Sequence, residues 1–182
     1  MSNITTQYMG MTLRSPIVVG SSGLTRSPER VQELERNGAG AVVLKSLFEE
    51  EIAFEYQDVL AKASPGAYNL EAFDYYDQQV KGEHLSEYIG LIQACKRSVS
   101  IPVIASVNCT YSYEWSVFAE RIQAAGADGL ELNMFFPPSD LRRSSDERKQ
   151  LYFDTVEKVL GRVSIPVALK ISHYMDDLGA MI

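Results

Sequence analysis

Four short apolar segments end in side chains able to hold or polarise a ligand. GAVVLKS closes on Lys45 and Ser46, PVIASVN on Asn108, DGLELN on Asn133, and PVALKIS carries Lys170. Read as strands, their period of two sorts the residues into faces. Val43 goes with Lys45, Ile104 with Ser106 and Asn108, Glu131 with Asn133, and Ala168 with Lys170. Leu130 and Leu132 take the opposite face, the one expected to meet helices. The polar set then turns inward, and Lys45, Asn108, Asn133 and Lys170 ring the ends of four strands. Two ammonium groups and two amides at one mouth suit an anionic or electron-rich ligand, because a buried lysine charge is costly without a partner. The competing reading is structural: each lysine pairs with Glu131 or extends its head to water. A strand-end lysine beside a second cation is also the nucleophile of Schiff-base lyases and aldolases. A barrel of that kind is the alternative chemistry.

The elements that must position these residues alternate. Segments rich in β-branched residues (SPIVVG, GAVVLKS, PVIASVN, DGLELN, PVALKIS) read as five buried strands. Between them SPERVQELERNG, HLSEYIGLIQACKRS, YEWSVFAERIQAAG and SDERKQLYFDTVEKVLGR carry apolar residues at three- and four-residue spacing. In the first of these Ser27 is placed to cap, Pro28 to open and Gly38 to stop a helix. Strand–helix alternation implies a parallel sheet with crossover helices. An internal repeat sharpens this: VSIPVIASV at Val99 matches VSIPVALKI at Val163, and NGAGAVVLKS resembles AGADGLELN. Repeated βα units favour an α/β fold of the (β/α)8 TIM-barrel type. No GxGxxG or Walker pattern follows any strand, which argues against dinucleotide and P-loop folds. Eight units need about 250 residues, so the 182 residues here are expected to hold about the first five, as the truncated N-terminal part of a single barrel domain.

Bulk composition narrows the classes. A 46% hydrophobic, 23% charged chain can build a core, and a net charge of −7 disfavours nucleic acid and anionic membrane surfaces as partners. Cys95 and Cys109 form no disulfide framework or metal motif, and His84 and His173 stand in no ligand-spaced cluster. The N-terminus MSNITTQYMG has no signal-peptide pattern, and no apolar run is long enough to span a membrane. A cytoplasmic protein with reduced thiols is the expectation.

Taken together in their order and spacing, SPIVVGSSGLT, GAGAVVLKS, FDYY, IASVNCTYSYEW, ELN and ALKIS resemble the dihydroorotate dehydrogenases, and also the pyrimidine-reducing barrel of dihydropyrimidine dehydrogenase. The resemblance covers nearly the whole chain. It implies FMN at the barrel mouth and hydride transfer between a dihydropyrimidine-like substrate and the flavin. It places Ser21, Ser22, Gly23, Lys45, Ser46, Asn108, Asn133 and Lys170 against the cofactor, and Lys45, Gly66, Asn69 and Asn133 against the substrate. It admits a homodimer and leaves the electron acceptor open. The flavin's phosphate is expected on later strands.

ELNMFFPP departs from the family. There a small residue and then Cys or Ser follow ELN, and that Cys or Ser takes a proton from the substrate. Here Phe136 stands at the base position and cannot accept one, while Pro138 replaces an expected asparagine. Ala63 likewise stands where the substrate loop has an asparagine. Ser139 is a weak candidate for a displaced base, and Cys109, just past a strand end, for a reactive thiol. A non-catalytic flavin-binding paralogue is the third reading.

Overall fold

Val, Ile and Leu runs bounded by Pro and Gly form the expected strands, and the amphipathic segments between them form the helices. The computed structural model describes residues 4–48, 70–108, 115–134, 144–172 and 179. In chain order these are β1 (Thr6–Tyr8), β2 (Met11–Leu13), β3 (Val18–Val19), a 3-10 turn (Gly23–Thr25), α1 (Pro28–Arg36), β4 (Ala41–Val43), β5 (Leu47–Phe48), α2 (Leu70–Ser98), β6 (Val103–Asn108), α3 (Trp115–Ala124), β7 (Gly129–Asn133), α4 (Ser145–Leu160) and β8 (Val167–Lys170). Strands pair in parallel in the order β3-β4-β6-β7-β8, and β5 continues the β4 strand beside β6. All five anticipated strands are present, in a curled parallel sheet of the (β/α)-barrel type. The second helix begins at Leu70, well before the His84 start that spacing suggested.

The two faces of the sheet are packed differently. Val42, Leu44, Val103, Ala105, Val107, Leu130, Leu132 and Met134 join Val31, Ile92, Phe118, Ile122 and Val159 of the helices in the main core. Burying a side chain of this size stabilises by roughly 1.5–3 kcal/mol each. On the other face Ala41, Val43 and Ile104 pack with Leu13, and Met9, Met11 and Val18 lean on them. Met11 and Leu13 lie on β2 and Met9 in the turn that joins it to β1, an antiparallel hairpin that the helix–strand rhythm gave no reason to expect. Its turn residues Met9 and Gly10 both have positive φ (51° and 74°), the pattern of a tight two-residue hairpin loop. Met9 lies against Gly129, the first residue of β7. The hairpin therefore lies at the N-terminal end of the sheet and leaves the C-terminal ends for chemistry.

The internal repeat has a physical basis. Gly38 and Gly126 end α1 and α3 with φ of 96° and 93°, a conformation that costs glycine nothing. Three residues before each lies a polar side chain that reaches the segment entering β6 or β8, the sheet neighbour of the strand its own helix leads into. Glu35 Oε1 accepts from Ser100 N (2.9 Å) and Ser100 Oγ (2.6 Å), and Gln123 Oε1 accepts from Ser164 N (2.6 Å) and Ile165 N (3.1 Å). The two SIP turns are thus held in the same way. Gly40 is needed for another reason: a Cβ there would overlap the backbone oxygen of Ser15.

Candidate functional site

A register shift sits where GAVVLKS was expected to run on as one strand. Val43 pairs with Ile104 and Leu47 with Val107, so four steps on one strand meet three on its neighbour. Leu44 still keeps step, with its N–H on Ile104 O at 2.8 Å. Ser46 Oγ meets Ser106 Oγ at 2.8 Å. Lys45 is therefore the inserted residue of a β-bulge. Its N–H leaves the ladder for Thr25 O at 3.3 Å, and its ammonium lies 5.7 Å from the centre of the Phe48 ring. One residue beyond Lys45, Ser46 stands beside Ser106, so the strand does not run on in simple alternation from Val43. Period-two reading cannot detect an extra residue, because it assumes one residue per step on both strands.

The bulge is filled from the helix layer. Tyr88 of α2 inserts its hydroxyl at Ser106, accepting from Ser106 N (2.8 Å) and donating to Ser106 O (3.0 Å). Burial, above all, pushes the Tyr88 phenol well above its ordinary range, and the Glu131 charge adds to the rise, while its hydrogen bond with the Ser106 backbone opposes it. It stays a neutral hydroxyl that can donate and accept together.

From Ser46 a polar line crosses the sheet. Ser46 N donates to Ser21 Oγ (2.8 Å), Ser21 Oγ lies 2.9 Å from Ser46 Oγ, and Ser46 Oγ meets Ser106 Oγ. Ser106 Oγ donates to Glu131 Oε1 at 2.8 Å, and Lys170 Nζ donates to the same oxygen at 2.8 Å. Ser46 and Ser106 are buried, the Glu131 side chain is 13% exposed, and that of Lys170 is 46% exposed. The line therefore runs from dry interior to an open strand end. For Lys170 the pairing with Glu131 holds, and its head also reaches solvent.

Asn133 stands in register with Lys170, and Asn108 with Phe48, both amides half-buried at strand ends. Among the described residues no hydrogen bond reaches either amide. Ser22 is otherwise engaged: its Oγ caps the 3-10 turn by accepting from Leu24 N, and its N–H bonds Thr25 Oγ1. Gly23 lies exposed on that turn, its carbonyl held by Arg30. The structure thus joins Ser21, Ser46 and Lys170 in one network, with Asn133 beside Lys170. Lys45 is set on the bulge and Ser22 and Gly23 on the adjoining turn. Gly66, Asn69, Cys109, Phe136 and Ser139 lie outside the described residues. Ser106, Glu131 and Tyr88 complete the network. Ser106 was legible as an inward position without a role and Glu131 as a pairing partner for the lysines, and nothing in the sequence marks Tyr88.

Comparison with known proteins finds distant relatives. The chain is 28% identical over 192 residues to the dihydroorotate dehydrogenase B (NAD(+)) catalytic subunit of Thermoplasma volcanium, covering 98% of this chain and 57% of the relative. The same-named subunits of Thermoplasma acidophilum (28%) and Methanocella arvoryzae (24%) match at similar coverage. The chain thus spans little more than half the length of these relatives. No family model matches it. Among solved structures, a dihydrodipicolinate synthase from Bacillus anthracis superposes with a TM-score of 0.51 at 13% identity, over 84% of this chain and 44% of that one. That likeness speaks for the fold alone.

Proposed function

We propose that the chain is part of an FMN-binding (β/α) barrel acting as a dihydroorotate dehydrogenase-like oxidoreductase on a dihydropyrimidine-like small molecule. The observation that carries this is the alignment of almost the whole chain with three dihydroorotate dehydrogenase B catalytic subunits. The strand-end donors fit an electron-rich planar ring. Lys170 brings a half-exposed ammonium with N–H bonds to spare beyond Glu131, and Asn133 beside it brings an amide that both donates and accepts. FMN, when bound, supplies the acceptor of a hydride.

The chain's own residues bind and orient. Lys170 offsets negative charge at the pyrimidine end of the ring. Asn133 and Asn108 read alternating donor and acceptor edges. Ser21, Ser22 and Gly23 give the ring a close backbone floor, with Ser46 behind them and Lys45 aimed by the bulge. Gly66 and Asn69 are assigned to the substrate. Phe136 occupies the base position, so the substrate proton goes to another acceptor, for which Ser139 is the candidate in sequence. The cofactor phosphate is assigned to the part of the relatives that this chain does not match. A homodimer, the cytoplasm and a role in pyrimidine metabolism go with this reading.

The test is the visible absorption spectrum of the purified protein before and after adding FMN, with any released chromophore identified by mass. The expected result is FMN taken up in proportion to protein, and at least about tenfold weaker uptake in Lys170→Ala, the loss of one charge-assisted contact. A folded protein that stays colourless and takes up no FMN overturns the reading. Borohydride trapping with small aldehydes and ketones then examines the lysines. The geometry gives Schiff-base chemistry little support at Lys170, whose nitrogen already donates to Glu131.

A further inference from the structure

The hydroxyl line across the sheet can be ordered in only one direction. A carboxylate oxygen accepts and cannot donate, so the Ser106 proton is committed to Glu131. Ser106 Oγ must then accept from Ser46 Oγ, and Ser46 Oγ, its own proton spent, must accept from Ser21 Oγ. At the far end Ser21 Oγ also accepts the Ser46 N–H. Every hydroxyl proton therefore points toward Glu131. The line begins at a backbone N–H and ends at a negative charge, and dipoles aligned this way reinforce one another. The Tyr88 hydroxyl pins the Ser106 backbone from behind, so the serine nearest the charge cannot shift along the strand. Both donors to Glu131 reach the same atom, Oε1, leaving Oε2 without a donor among the described residues.

We infer that Glu131 is the positioning residue of this site: a carboxylate held by a one-way chain of serine hydroxyls, which fixes the Lys170 ammonium at the end of β8 beside Asn133. A free lysine head samples many rotamers, and that entropy must be lost when it meets a ligand. Here much of that loss is incurred on folding, so the cation is pre-organised toward whatever electron-rich ring edge enters. Only the identity of that ring rests on the proposed function.

The experiment follows the Lys170 side chain directly. Protein labelled with 13C and 15N lysine gives Cε–Nζ signals, and Lys170→Arg assigns the one of interest. In the wild type the Lys170 signal is expected to stand apart from those of freely moving lysines. In Glu131→Gln it joins them, and in Ser106→Ala it moves in the same direction by less. The amide spectrum of each variant checks the fold. An unchanged Lys170 signal in both variants overturns the proposal.

Titration with FMN adds a second readout with opposite signs for the two roles. If Glu131 were a nearby charge only, removing it would tighten binding of an electron-rich ring. As a positioning residue, its replacement by Gln weakens FMN uptake, by about tenfold. Tighter or equal binding in Glu131→Gln refutes positioning. If neither protein takes up FMN while Lys170 is released in Glu131→Gln, positioning stands and the flavin reading falls.

Discussion

Tyr88→Phe tests whether the bulge is held from the helix layer. The substitution keeps the ring and leaves no cavity, so the loss is confined to the hydroxyl. That hydroxyl makes two bonds, to Ser106 N at 2.8 Å and Ser106 O at 3.0 Å, in a buried place. Stranding a buried N–H costs about 1–3 kcal/mol, and the lost bond to the carbonyl adds roughly 1 kcal/mol. The expected destabilisation is therefore about 2–4 kcal/mol. For a chain of this length each kcal/mol lowers Tm by roughly 2–4 °C, so the midpoint should fall by on the order of 10 °C. Urea unfolding gives the free energy, and amide hydrogen exchange locates the loss. The Ser106 N–H should exchange far faster in Tyr88→Phe, while those of β7 keep most of their protection. A destabilisation under about 0.5 kcal/mol, or an equally protected Ser106 N–H, would show that the ladder satisfies itself and that the Tyr88 contact carries no weight.

Other outcomes follow from the same geometry. Gly40→Ala should cost at least ~3 kcal/mol, the upper end of overpacking, because its Cβ would meet the backbone of Ser15, which cannot swing aside; a melting curve near wild type would contradict this. Burial, helped by the nearby Glu29 charge, pushes the Cys95 thiol up to about 11, so alkylation at pH 8 should be slow in the folded protein and fast in urea. The same shift means the unfolded chain ionises Cys95 first as pH rises past its ordinary range. Its contribution to stability is full below that range and is lost as pH climbs toward about 11. For Glu35 burial acts to raise the carboxyl, but the bonds from Ser100, with the Arg14 charge and the Ile101 N–H, outweigh it and hold the group below the usual carboxylate value. Its contribution is present above that value and is lost as pH falls through the lowered one. The stability gap between wild type and Glu35→Gln should therefore narrow on acidification; a gap that is constant with pH would refute the assignment.

The central strands were legible because burial on both faces demands near-continuous apolar runs, and GAVVL and PVIASV satisfy that demand locally. The Glu131, Asn133 and Lys170 faces were legible for a similar reason, since β7 and β8 stay in step from Leu130 to Asn133. The hairpin was hidden because Met9, Met11 and Leu13 serve the inner face from outside the repeating unit. The bulge at Lys45 was not legible because a bulge is a relation between two strands. It appears only when 43–47 is laid beside 104–107.

The sequence by itself determined a repeating βα chain whose inward strand ends carry lysines and asparagines, because side-chain type and period are properties of single segments. Only the tertiary structure decided that three serines, from segments up to 85 residues apart, point their hydroxyls in one direction at Glu131, and that Glu131 holds Lys170. Hydrogen bonds reach about 3 Å. Which donors come within that reach depends on strand register, on the one-residue bulge and on the tyrosine that fills it, and none of these is written in any one stretch of chain.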